Sequence, residues 1–75
     1  MVDVEALKQK FAGYPGILAE LKAMEEEKDD YGLNAWASTT IEPDGTLSWI
    51  ENGMLQSNSL KDIDELLTEV HANLK

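Results

Sequence analysis

The chain has 75 residues, with 15 acidic residues against six lysines, no arginine and a formal net charge of −9 with His71 neutral. A chain this short makes one domain, residues 1–75, and buries only about 60% of its extended surface, so its core rests on a few side chains. The lack of cysteine excludes disulfides, thiol chemistry and cysteine-ligated zinc or iron–sulfur centres, and the acidity argues against direct nucleic-acid binding.

A 43% apolar fraction, with Phe11, Tyr14, Tyr31, Trp36 and Trp49 as its aromatics, is sufficient for folding despite that charge. The charge is spread along the chain: −4 over residues 1–32, −3 over 33–58 and −2 over 59–75. This is the pattern of a charged shell around a core, not of an acidic tail. The N-terminus lacks the basic and apolar regions of a secretory leader, and no apolar run reaches transmembrane length. The expectation is a cytoplasmic protein, in a cell or in a virus-infected host, with no membrane role.

In chain order, a helix is expected from near Asp3, with Val4, Leu7 and Phe11 on one face. Gly13-Tyr14-Pro15-Gly16 interrupts it, and Pro15 suits the first turn of a new helix carrying Ile17, Leu18, Leu21 and Met24. The segment is either two short helices or one kinked helix. Glu25 to Asp30 ends it with negative charges that oppose the helix dipole, and Gly32 offers the exit.

Leu33 to Ile41 and Thr46 to Ile50 read as strands joined by Glu42-Pro43-Asp44-Gly45-Thr46, a type I turn with a glycine bulge. The implied register sets Ile41 opposite Leu47 and Thr39 opposite Trp49. Ala37, Thr39, Ile41, Leu47 and Trp49 then share one apolar face, while Trp36 and Ile50 point the other way. Asn52-Gly53 predicts a second tight hairpin, leading to a short third strand over Met54 to Gln56.

Asn58 or Ser59 caps a closing helix, with Ser59 and Asp62 spaced as a capping box. Leu60, Ile63, Leu66, Leu67, Val70 and Leu74 give that helix its apolar face, and Asp62, Glu65 and Glu69 follow one flank. The predicted fold is a small α+β domain: an N-terminal helical segment or two short helices, an antiparallel two- or three-stranded β-meander and a C-terminal amphipathic helix. The coarse order overlaps the α-β-β-β-α arrangement of double-stranded-RNA-binding domains. The basic residues that would bridge groove phosphates are absent, so RNA binding is not implied.

No catalytic constellation is legible, and the chain is expected not to be an enzyme. His71, Ser57, Ser59 and Thr68 have no local nucleophile–base pattern, and there is no glycine-rich phosphate loop. Glu25/Asp29 and Glu26/Asp30 have i,i+4 spacing for a hard cation if the helix persists, yet no calcium-loop pattern accompanies them. No metal or cofactor is expected.

The acidity instead suggests a protein-interaction module or inhibitor that engages a basic protein surface. Its candidate binding residues are Glu20, Glu25, Glu26, Glu27, Asp29 and Asp30, with Asp62, Glu65 and Glu69. In its sharper form the partner is a nucleic-acid-binding protein whose cleft these carboxylates occupy in place of phosphates. Trp36 with Ile50 and Leu55 would add an apolar anchor for a partner or a homodimer. The alternative is a structural or homo-oligomerisation module whose acidity serves solubility.

Overall fold

Across residues 2–73, the span that the computed structural model describes, the elements run α-α-α-β-β-β-α. Helix α1 spans Val4–Lys10, α2 Pro15–Glu26 and α3 Asp30–Ala37. Strands β1 (Thr40–Ile41), β2 (Thr46–Glu51) and β3 (Met54–Ser59) form an antiparallel sheet in the order β1-β2-β3, and α4 spans Leu60–Asn73. The α+β expectation holds, with one more helix than the sequence suggested.

The N-terminal segment is split, not kinked. Asp3 caps α1 by accepting from the Ala6 N–H at 3.2 Å, and Pro15 occupies the first turn of α2. Between them Gly13 takes a φ of +95°, a conformation open to glycine at little steric cost.

Helix α2 ends in a Schellman motif. The Asp29 N–H donates to the Met24 carbonyl at 2.8 Å, the Lys28 N–H to that of Glu25 at 3.2 Å, and Lys28 sits at a φ of +57°. Asp29 then caps α3 by accepting from the Gly32 N–H at 2.9 Å. Gly32 is therefore not an exit but part of the first turn of α3. A Cβ there would lie 2.5 Å from the Asp29 carboxylate and 2.9 Å from the Met24 sulfur.

This cap overturns the expected strand over Leu33 to Ile41. Residues through Ala37 are helical, and only Thr40–Ile41 pair with β2. Leu33 and Trp36, three residues apart, share the inward face of α3, and the Ala35 and Ala37 between and beyond them favour helix. Ala37 and Trp36 thus belong to no sheet face.

The turns set the predicted register, with Ile41 opposite Leu47, Ile50 opposite Leu55 and Glu51 opposite Met54. The expected Thr39–Trp49 pair does not form, because β1 begins at Thr40 and the Thr39 hydroxyl donates to the Trp36 carbonyl at the end of α3. Glu42 donates its N–H to the Thr46 carbonyl at 2.8 Å, and Gly45 has a φ of +88°. Asn52 and Gly53 take φ values of +52° and +78°, the signature of a type I′ turn. Strand β3 continues past Gln56 to Ser59 and passes directly into α4.

Ser59 caps α4 through its hydroxyl, which accepts from the Asp62 N–H at 3.3 Å. The reciprocal half of the expected box is replaced, because the Ser59 N–H donates to the Asn58 side chain at 2.8 Å. The apolar face of α4 is narrower than predicted. Leu60 is buried and Ile63 and Leu67 are half-buried against the core, but Leu66 and Val70 are exposed; Leu74 lies outside the described residues.

The core comprises Leu7 and Phe11 from α1 and its C-terminal turn, Ile17 and Leu21 from α2, Leu33 from α3, Leu47 from β2 and Leu60 from α4. The sheet thus contributes a single fully buried apolar side chain. Helix α2 runs parallel to α4: Gly16 meets Asp64 and Thr68 at one end, and Glu20 meets His71 farther along both helices. No described helix is long and apolar enough to cross a membrane.

Candidate functional site

A groove of about 640 Å³ opens between α3 and β2. Its walls are Trp36 and Tyr31 from α3, Leu47 and Trp49 from β2, and Ile63 from α4, with Glu51 at one end. Trp36 is held from behind by Phe11, whose ring meets it edge-on at 5.4 Å and 88°. Trp49 stands two residues beyond the buried Leu47 on the same strand face, and its indole N–H points to the Glu51 carboxylate at 3.4 Å. Tyr31 is 87% exposed at the groove rim.

Lys10 fixes the back of this site. Its ammonium donates to the Trp36 and Ala37 carbonyls at 3.3 Å each, to the Thr39 hydroxyl at 3.2 Å and to the Thr39 carbonyl. A cation is thereby placed on the negative end of α3 and satisfies carbonyls that the helix leaves open. Burial holds its pKa below the ordinary lysine value. Lys10 is committed to positioning α3, and among the groove-lining residues no side chain is basic.

The predicted acidic residues do not share one role. Glu20 is half-buried, 2.8 Å from His71 Nε2. Glu25 pairs with Lys8 at 3.1 Å, and that hydrogen bond raises the Lys8 pKa, reinforced by the Glu25 charge. Glu65 lies 3.9 Å from Lys61, and Asp29 is the α3 cap. Glu26, Glu27, Asp30, Asp62 and Glu69 are exposed, and no salt bridge among the described residues engages them.

Nor do the two groups of acids merge into one face. Asp64 and His71 mark the side of α4 that meets α2. Asp62, Glu65 and Glu69 lie roughly 100–160° around the helix from Asp64, on the side turned to solvent. The helix also fails to persist through Asp30, so the expected i,i+4 carboxylate pairs for a cation do not exist. Among the described residues, no three histidine, aspartate or glutamate side chains come together as metal ligands.

Trp36 and Ile50 do meet at the groove, but not as paired side chains on one sheet face. Trp36 belongs to α3 and packs on the core. Ile50 is 67% exposed opposite Leu55, which is 72% exposed. A second depression, about 790 Å³ between α1 and α2, sets Lys8 and Lys22 beside Glu25 and Glu26, so its charges oppose one another.

Sequence reasoning missed four residues that matter here, Lys10, Tyr31, Glu51 and Asp64. Tyr31 and Glu51 join the site only through tertiary packing. Asp64 had a signal: it interrupts the apolar stripe Leu60–Ile63–Leu67 of α4, and α2 begins at Tyr14-Pro15 without a capping side chain. Asp64 supplies that cap from α4, accepting from the Gly16 and Ile17 N–H groups at 2.8 and 3.1 Å. No family model, no curated protein and no solved structure matches this chain.

Proposed function

We propose that this protein is a non-catalytic binding module that takes a lysine or arginine side chain of a basic protein surface into the groove between α3 and β2. The observation that supports this reading is the lining: three aromatic residues, Tyr31, Trp36 and Trp49, with the carboxylate of Glu51 and no basic group. Aromatic faces attract cations through their quadrupole, by about 0.5–2 kcal/mol depending on desolvation. An arginine stacks on such faces while its fork reaches a carboxylate. The stretch from Asp29 to Leu60, which supplies every lining residue but Ile63, contains no lysine, arginine or histidine.

The exposed carboxylates then act at a distance. They speed encounter with a positive surface and lose effect as salt is added, while burial of the anchoring side chain governs dissociation. A partner that uses the same basic surface to hold nucleic acid would be competed from it. That outcome makes the module an inhibitor.

The test is titration of the purified protein with labelled peptides rich in arginine or lysine, beside an acidic control, read by tryptophan fluorescence and anisotropy. Saturable binding of a basic peptide is expected, weakened several-fold by Glu51→Gln or Tyr31→Ala and by raising salt from 50 to 300 mM. Binding that ignores both substitutions, or no binding to any basic peptide, overturns the reading. Displacement of a labelled DNA duplex from a captured partner supports competition; a complex that retains its duplex refutes it.

A further inference from the structure

We propose that the free edge of β3 pairs with β3 of a second copy, antiparallel about a two-fold axis at Gln56, to give a weak homodimer with a continuous six-stranded sheet. The β3 edge lies outside the groove lining, with Ile50 of β2 bordering both, and it stands on different observations. The first is the ladder. A two-residue type I′ turn makes Glu51 and Met54 a hydrogen-bonded pair, and pairs then alternate along β2 and β3. Gln56 and Asn58 therefore turn their main-chain groups to β2. Leu55 and Ser57 turn theirs outward, where strand β3 has no neighbouring strand among the described residues.

The second observation is the absence of the usual protection. Exposed edges are commonly blunted by charge, proline, a bulge or shortness. Strand β1 is blunted by its two-residue length. Strand β3 has six residues, Met-Leu-Gln-Ser-Asn-Ser, with no charge and no proline, paired one-to-one with β2.

The register follows from which groups are free. Centring on Gln56 sets Leu55 opposite Ser57 of the second copy and Ser57 opposite its Leu55, which closes four main-chain hydrogen bonds. Centring on Ser57 would need the Ser59 N–H, which already donates to Asn58 Oδ1 at 2.8 Å. Centring on Leu55 would need Gly53, which is held in the turn at a φ of +78°.

Charge and apolar area support the same occupant. With a net charge of −9 on each copy, two chains approach best along a strip that opposes no carboxylates, and β3 is such a strip. Glu51, beyond the far side of the ladder, is carried to opposite ends of the joined sheet. Leu55 of each copy lies diagonal to the other, within side-chain reach, and extends the exposed Ile50–Leu55 pair into one stripe. The contact is small, below the roughly 1,200 Å² of a standard interface, so the dimer forms only at high concentration.

Salt separates this interface from groove binding. Like-charged copies associate more readily when repulsion is screened, whereas capture of a basic segment weakens. Sedimentation at rising protein concentration should show dimer, several-fold more at 500 mM than at 50 mM salt. Ser57→Pro removes an outward N–H at an edge position where proline is tolerated, and should leave monomer with an unchanged circular dichroism spectrum.

A second measurement does not depend on that variant folding. The chain has no native cysteine, and the proposed axis brings the two Gln56 Cα atoms to about 4.5 Å as a non-hydrogen-bonded pair. Gln56→Cys should cross-link under mild oxidation at least tenfold faster than Asn58→Cys. Equal cross-linking rates, or a monomer at millimolar concentration in both salts, overturn the proposal.

Discussion

Where α2 meets α4, main-chain donors, carboxylates and apolar side chains are matched within the chain; along the edge of β3 and the outer face it shares with β2, main-chain groups and apolar side chains are turned outward. Asp64 closes the open amides of α2, Gly16 lets the two helices touch, and Ile17, Leu21 and Leu60 are buried. The hairpin is anchored by Leu47 and Ser48 and leaves Ile50, Met54 and Leu55 exposed. The helical half uses its apolar residues for stability, and the hairpin half keeps its own available for contact. A polar site such as Asp64 can therefore matter more to folding than an exposed leucine does.

The largest effect that would test this contrast is at Gly16. A Cβ there would lie 2.2 Å from the Asp64 carbonyl oxygen and 2.5 Å from the Thr68 nitrogen, both main-chain atoms that cannot swing aside. Gly16→Ala should cost about 3 kcal/mol, at the upper end of overpacking penalties, read as a lower urea midpoint. Asp64→Ala comes next, at about 1–2 kcal/mol, because it opens the cap of a helix that has no other. An unchanged midpoint for both variants would remove the distinction between the two halves.

Lys28→Gly runs in the opposite direction. Relief of the left-handed conformation at φ +57° should stabilise the protein by about 0.5–1 kcal/mol in the same assay. Leu55→Ser should stay within about 0.5 kcal/mol of the parent in monomer stability, since the side chain is largely exposed. A loss above about 2 kcal/mol would mean that the hairpin's apolar residues carry the fold after all.

The smallest effect is one of pH. Hydrogen bonding to Thr46 holds the Asp44 carboxyl below its ordinary pKa of 3.8. Its stabilisation of the β1–β2 turn is present above that value and is lost as pH falls through the lowered one. Acid titration followed by the Thr46 amide resonance should show a midpoint below that of an unpaired aspartate. A midpoint at or above 3.8 would leave Asp44 without a role in the turn.

The elements written in local chemistry were legible in the sequence. Pro15 marked a start for α2 while leaving a kinked helix open, and Asn52-Gly53 and Pro43-Asp44-Gly45 marked the turns that set the register of Ile41–Leu47 and Glu51–Met54. Helix α3 was not legible as helix, because its N-cap, Asp29, is hidden in a run of six charged residues. Its Trp-Ala-Ser-Thr-Thr tail also has the composition of a strand. The site was legible only in parts. Trp36 and Ile50 stood out as aromatic and apolar residues, but the groove depends on a helix packing beside a strand, and Tyr31 and Glu51 have no local signature. The carboxylates could be counted from sequence, yet their dispersal depends on which side of α4 faces α2.

The bond from Gly16 to Asp64 spans 48 positions of the chain, and it sets an order of events. Helix α2 has 12 residues and no capping side chain of its own, a length at which an isolated helix is marginal in water. During synthesis from the N-terminus, α2 emerges long before its cap has been made. Its amides are closed only when α4 arrives alongside it in parallel. Such a closure is non-local despite the small size of the domain, and it carries a larger loop entropy than helix-to-next-helix packing does. The cap of α2 is therefore complete only after residue 64 has been made, and not as the helix itself is made.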